Sequence, residues 1–142
     1  MSTPFSSEID LDKPRVSEEN TPARSPFEDI LAEMNAAGRF TASVLASDDG
    51  LPVAVAPVPP PYDANTIAAM VTLIKDFILQ TQVRLGLTQV DEVSVVVSDR
   101  SRLICRYFDI EGRAFVLAII APPQLSYRRL TTHAIGEIKK AW

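Results

Sequence analysis

Residues 40–57 read FTASVLASDDGLPVAVAP and contain two short apolar runs separated by a turn sequence. The Asp-Asp-Gly turn at residues 48–50 consists of residue types that tolerate the positive φ angles of tight hairpins. The pattern therefore predicts two antiparallel strands, at residues 40–47 and 51–56. Pro52 has no backbone N–H to donate to a ladder, so the second strand is expected at an edge of its sheet.

The first helix has clear sequence signals at both ends. Ser25 is a good N-cap, Pro26 suits the first helical position, and Glu28 completes a capping box with Ser25. Gly38 is expected to be the left-handed residue that ends this helix. Apolar residues recur at helical spacing and predict one buried face, made of Phe27, Ile30, Leu31 and Met34.

The longest helix is predicted from about Asn65 to Leu85. Asp63 or Asn65 can cap its first turn, and Gly86 provides a left-handed end. One broad apolar face is expected to pack on the sheet, because its residues share one side of a helical projection. This face consists of Ile67, Met70, Val71, Leu73, Ile74, Phe77, Ile78 and Leu85.

The remaining elements follow in a regular order. Residues 57–62, PVPPPY, are expected to form a stiff connection with polyproline II character. Three strands are predicted at residues 93–97, 102–108 and 114–120, and the last is apolar throughout, which is typical of an interior strand covered on both faces. A third helix over about residues 124–142 completes the order α-β-β-α-β-β-β-α.

Composition limits the class of protein. The chain has 142 residues with 46% hydrophobic residues, which fits one globular domain. Its net charge of −4 argues against nucleic acid or an anionic membrane as the main partner. The single cysteine, Cys105, excludes an intramolecular disulfide. No apolar run is long enough to span a bilayer and no secretory signal is recognisable, so we expect a cytoplasmic protein without membrane insertion.

Residues 1–24 differ in composition from the rest of the chain. They combine three prolines with many acidic and serine residues, and their apolar residues are sparse. This composition predicts a disordered N-terminal tail before a domain at residues 25–142. A sharper hypothesis is that Ile9, Asp10 and Leu11 dock on a partner or on the edge strand of the domain itself.

No catalytic, cofactor-binding or metal-binding site is predicted. His133 is the only histidine, and the sequence places no cysteine or second histidine near it that would suggest zinc. Cys105 is expected to be a buried thiol, because no general base is evident for a nucleophilic role. The five glycines are isolated and form no phosphate-binding loop. We therefore expect a binding or regulatory protein that uses no cofactor and is not an enzyme.

The stretch at residues 42–54, ASVLASDDGLPVA, resembles the roadblock family, which includes the dynein light chains of that name and bacterial regulators of small GTPases. The shared pattern is an apolar strand, a turn that ends in glycine, and then Leu-Pro-apolar-Ala. The order of elements over residues 25–142 is also similar. The proline-rich connection at residues 57–62 departs from the family pattern.

The resemblance implies an α+β fold: a profilin-like, roadblock three-layer sandwich with a five-stranded antiparallel sheet. The first and third helices would cover one face, and the second helix the other. It also implies a dimer, a homodimer or a roadblock heterodimer, in which the second helices lie side by side and the third strands meet edge to edge. Family members act as platforms for small GTPases or for larger assemblies.

The residues themselves agree with this dimer at two points. Leu79 and Val83 form an apolar ridge on the side of the second helix that is expected to face solvent, which indicates either scattered exposed residues or a subunit contact. The strand at residues 93–97 is an apolar edge that needs a cover. The predicted dimer or partner interface consists of Thr72, Lys75, Asp76, Leu79, Gln80, Val83, Val93, Val95 and Val97.

Three functions remain open from the sequence. The first is a dimeric regulator or platform for a Ras-like small GTPase, which includes the role of a GTPase activator that arranges residues of the GTPase itself. The alternative is a structural adaptor or scaffold that dimerises and docks other proteins without affecting GTP hydrolysis. A small-molecule sensor is a third hypothesis, against which the crowded apolar faces argue.

Overall fold

The predicted hairpin is present in a computed structural model that describes residues 25–142. It consists of β1 (Ala42–Ser47) and β2 (Pro52–Val55), and Gly50 in the turn has a φ of 81°. The pairing shifts register between Leu45 and Ala46. The tail predicted over residues 1–24 lies outside the described residues.

Three longer strands complete the sheet: β3 (Glu92–Val96), β4 (Arg102–Ile110) and β5 (Arg113–Ala121). All neighbours are antiparallel, in the order β2-β1-β5-β4-β3. The edge position predicted for the strand with Pro52 is confirmed, and β3 forms the other edge. β5 lies at the centre and is buried on both faces, as its continuous apolar sequence predicts.

The three helices are α1 (Pro26–Gly38), α2 (Ala64–Leu85) and α3 (Arg128–Ala141). The side chains of α1 and α3 pack into one core with one face of the sheet, and those of α2 pack into a second core on the opposite face. The order of elements and the three-layer α+β arrangement expected from the sequence are therefore confirmed.

Capping follows the sequence at most helix ends. The capping box of Ser25 and Glu28 is present, and the Asp63 side chain accepts a hydrogen bond from the backbone N–H of Thr66 at 2.9 Å. Gly86 ends α2 in the left-handed region with a φ of 70°. These caps depend on local hydrogen bonds and φ angles, which are properties of a few neighbouring residues.

The role predicted for Gly38 is wrong. The left-handed residue after α1 is Arg39, with a φ of 57°, whereas Gly38 is still helical. Gly38 is needed for a different reason: a Cβ at this position would lie 2.4 Å from Cζ of the buried Phe40 ring. The glycine therefore makes room for an aromatic ring that returns to the core.

Two further expectations need correction. α3 begins at Arg128 instead of near Gln124, because Gln124 is left-handed with a φ of 67° and Arg102 donates a hydrogen bond to the Leu125 carbonyl at 2.5 Å. The connection at residues 57–62 contains a turn, closed by a hydrogen bond of 3.0 Å from the Tyr62 N–H to the Pro59 carbonyl. It is not a continuous polyproline II segment.

Gly38→Ala is predicted to destabilise the fold by about 1–3 kcal/mol, because the added methyl group overpacks against the Phe40 ring. Urea denaturation followed by circular dichroism measures this free energy of unfolding. Gly136→Ala is the matched control, since apart from its chain neighbours and the backbone of its own helix no atom lies within 4 Å of the added Cβ. The control should be neutral or stabilising by roughly 0.5–1 kcal/mol. Equal effects of the two variants would contradict this account of Gly38.

Candidate interaction surface on α2 and β3

The two residues of α2 that are buried most deeply against the sheet are small. Ala68 and Val71 are fully buried and pack with Val44, Ala46 and Ala118 of the sheet. Because none of these side chains is larger than valine, the helix approaches the strands closely. Ala68 therefore lies at the centre of the contact.

This contact turns large apolar residues of α2 outward. Leu73 is 60% exposed and Phe77 is 69% exposed, and Met70 is also exposed. Successive helical residues turn by about 100°, so Leu73 and Phe77 lie opposite Ala68 and Val71. The predicted packing of Met70, Leu73, Phe77 and Leu85 on the sheet is thus wrong. α2 is apolar nearly all round, and the close packing of Ala68 and Val71 on the sheet decides which side is buried.

The predicted interface residues of α2 divide into two groups. Leu79 and Val83 are 46% and 79% exposed, and Asp76 and Gln80 are also exposed. Thr72 and Lys75 were also predicted to lie on the exposed side of α2, but both are half-buried. The Thr72 hydroxyl donates to the Ala68 carbonyl at 2.9 Å. Lys75 lines a small cavity with Gln82, Tyr107 and Phe115.

The predicted residues of β3 and the strand end lie on the α2 side of the sheet. Val93 packs into the core under α2, and Val95 and Val97 are exposed. The alternate residue Glu92 contacts α3 on the opposite face. Side chains alternate along a strand, so Val93, Val95 and Val97 share the face of α2.

A groove joins the helix to this strand edge. It has a volume of about 270 Å³ and an apolar lining, and lies between the first half of α2 and the end of β3. Met70, Val97 and Leu103 are among the residues that line it. We name the α2–β3 surface as the exposed apolar residues of α2 and of β3 with its end: Met70, Leu73, Phe77, Val95 and Val97.

The other face of β3 is held by a buried carboxylate that was not recognised in the sequence. Glu92 accepts hydrogen bonds from the Tyr127 hydroxyl and, at 2.5 Å, from Nη1 of Arg128. Nε of Arg106 lies 3.7 Å from the same carboxylate, and Arg106 also donates to the Thr131 hydroxyl at 2.6 Å. These contacts join β3 and β4 to α3. The contacts of Glu92 with Tyr127 and Arg128 span 35 and 36 positions of sequence, so no local pattern indicates them.

The candidates for chemistry lie in unreactive settings. Cys105 is buried under α2, and burial raises the pKa of its thiol to about 11. Burial, with a smaller effect of Cys105, also raises the pKa of Tyr107. Within residues 25–142, no group of three histidine, cysteine, aspartate or glutamate side chains is placed to hold a metal ion. No helix in this part of the chain is long and apolar enough to cross a membrane.

The layers and the strand order define a roadblock/LC7 fold. Myxococcus xanthus MglB has a TM-score of 0.70 to this chain at 14% identity, with 80% of this chain and 92% of that chain covered. The roadblock/LC7 domain from Streptomyces avermitilis has a TM-score of 0.66 at 21% identity, with 80% and 92% covered. A structure of MglB with a tetrameric arrangement has a TM-score of 0.64 at 20% identity, with 84% and 92% covered.

At the level of sequence, neither a protein-family model nor a curated protein matches the chain. The structural matches confirm the roadblock fold that the resemblance at residues 42–54 implies. Structural similarity at such low sequence identity establishes the fold but does not identify a binding partner. The partner has to be inferred from the surface of the protein.

The Cys105 thiol is predicted to be inert in the folded protein. A thiol reagent such as DTNB should not react at pH 8 but should react fully in urea, because the thiolate is the reactive form. Burial raises the pKa of this thiol from about 9 to about 11. The contribution of the buried, neutral thiol to the free energy of unfolding is therefore fully present below pH 9. It should be lost as the pH rises to 11, and Cys105→Ala should show a shallower alkaline decline. Rapid reaction at pH 8 would contradict burial of the thiol.

Proposed function

We propose that this chain forms a dimer through its α2–β3 surface and that the dimer regulates a Ras-like small GTPase without catalytic residues of its own. In this arrangement, two copies of α2 lie side by side and two β3 strands meet edge to edge. The observation that carries the proposal is that α2 and β3 of a roadblock fold both expose large apolar side chains, among them Leu73, Phe77 and Val95.

The physical case for a dimer has two parts. Contiguous exposed apolar surface is typical of interaction sites, because soluble proteins otherwise expose only scattered apolar residues. An unprotected edge strand also presents unpaired backbone groups that favour pairing with another strand. β3 has no proline, and its exposed residues on the α2 side are valines. A second copy offers matching groups for both features.

The support for a GTPase partner is the fold. Bacterial relatives of the roadblock type include regulators of small GTPases, and MglB structures are similar to this chain. In the proposed complex the paired α2 helices present the platform, and exposed polar residues such as Asp76 and Gln80 border it. Any acceleration of GTP hydrolysis would use the catalytic residues of the GTPase. The tetrameric arrangement described for one MglB structure is a property of that protein.

Phe77→Glu and Val95→Glu are each predicted to convert the dimer to a monomer, because each would bury an unpaired charge at the interface. Sedimentation equilibrium gives the mass. Asn65→Glu is the control, since it adds the same charge at an exposed polar position of α2 that is outside the proposed interface. Val83→Glu tests the other flank of the helix. A dimer lost with Val83→Glu but retained with Phe77→Glu would place the contact at Leu79 and Val83.

Binding of a Ras-like GTPase encoded beside this chain is predicted to weaken at least tenfold with Asp76→Arg, because the change reverses a charge on the platform. Glu111→Arg in the β4–β5 turn is the control with the same change of charge. Pull-down measures binding, and GTP turnover by the partner measures regulation. Binding with unchanged turnover would favour the adaptor function. No binding to any such GTPase would count against the proposal.

A further inference from the structure

The open edge of β3 has two different sides. Tyr107 donates its N–H to the Asp91 carbonyl at 2.9 Å, and Val97 donates to the Ser101 carbonyl at 3.0 Å. Odd-numbered residues of this strand therefore pair with β4, and the backbone groups of Ser94 and Val96 point to the open edge. On the α2 side the edge is apolar, with Val95 and Val97 exposed.

On the α3 side the same edge has a basic border. The Arg128 side chain is 64% exposed and uses Nη1 to bind Glu92. A guanidinium has further donors that one carboxylate contact does not use. Arg129 is exposed beside it, and Arg102 and Arg106 extend the basic group along β4. Three acidic residues lie in this region: Glu92 is bound by Arg106 and Arg128, Asp99 lies in the β3–β4 turn, and Asp91, just before β3, falls on the α2 side by strand alternation.

The opposite edge of the sheet is a poorer acceptor for an acidic strand. β2 is only four residues long and begins with Pro52. The turn that precedes it carries Asp48 and Asp49, with Arg113 at 3.8 Å from Asp48 as the basic neighbour. An acidic segment would meet like charge there and opposite charge at β3.

The chain contains a segment whose pattern matches both sides of the β3 edge. Residues 7–13 read SEIDLDK and are followed by Pro14. In an extended conformation, Ile9 and Leu11 would lie on one side and Glu8, Asp10 and Asp12 on the other. The apolar side fits Val95 and Val97 on the α2 side. On the α3 side the acidic residues would lie beside the exposed Val96 and face the arginines that border it.

We propose that residues 7–13 pair with β3 as a sixth strand of the same chain and compete with a second copy for that edge. The inference concerns regulation of the proposed dimer and rests on it. Residues 14–24 can span up to roughly 36 Å when extended. The distance from β1, which α1 contacts, to β3 is three strand spacings, or about 14 Å. The connection is therefore long enough.

Competition within one chain has a physical advantage over a second copy. A tethered segment acts at an effective concentration of the order of millimolar, so a weak strand contact can oppose a dimer at low protein concentration. The dimer would then form only when its concentration rises or when another molecule withdraws the tail. The tail would thus set the threshold for assembly of the GTPase platform.

The first test measures the dimer dissociation constant of the full chain by sedimentation equilibrium. The double variant Asp10→Lys/Asp12→Lys should lower the dimer dissociation constant at least tenfold. Its lysines would be repelled by the arginines on the α3 side, so the segment would no longer compete for the β3 edge. Glu18→Lys with Glu19→Lys is the control: it changes the net charge equally, lies outside the segment, and should leave the constant within twofold. Equal constants for both double variants would overturn the proposal.

The second test detects the contact directly. In the Cys105→Ala background, Ser94→Cys is combined separately with Glu8→Cys, Asp10→Cys and Asp12→Cys, because paired residues on one face lie within disulfide reach. One of these pairs should oxidise within a single chain at least ten times faster than Ser94→Cys with Glu18→Cys. No faster pair, or a disulfide between two chains, would overturn the proposal. A chain that never dimerises would refute the proposed function, while this test would still decide whether the segment docks.

Discussion

The close packing of Ala68 and Val71 on Val44, Ala46 and Ala118 is the contact on which the arrangement of the interaction surface depends. These small side chains bring the helix down onto the sheet and set its rotation about its own axis. Once that rotation is set, Leu73 and Phe77 must face outward, although they are as apolar as many core residues. A larger residue at position 68 would separate the layers and change which side of α2 is exposed.

The edge strand beside this helix depends on contacts from the other face. Glu92 binds Tyr127, Arg128 and Arg106, so β3 is joined to α3 as well as to β4. An outermost strand with one paired neighbour is prone to fray, and a second set of contacts opposes this. The same arginines leave a basic border along the open edge. Structural support and a charge that selects an acidic neighbour thus come from one group of side chains.

The function of this protein has to be inferred from its exposed interaction surfaces. The roadblock fold is shared by proteins that differ widely in sequence, and a fold alone names no partner. The α2–β3 surface adds chemical detail: α2 and β3 expose apolar residues, and an apolar groove lies between the first half of α2 and the end of β3. Such a combination suits protein partners better than a small polar ligand, because its lining offers few hydrogen-bonding groups.

The sequence by itself determined the features that depend on a few neighbouring residues. The β1–β2 turn, the edge position of Pro52, the Ser25 capping box and the ends of α2 follow from φ angles and local hydrogen bonds, and the order of elements follows from apolar patterns. Tertiary structure alone decided which side of α2 is buried, why Gly38 has no side chain, and how Glu92 meets Arg128. These outcomes depend on side-chain volume and on contacts between distant segments, which form only when the layers pack. Local sequence patterns do not predict such contacts.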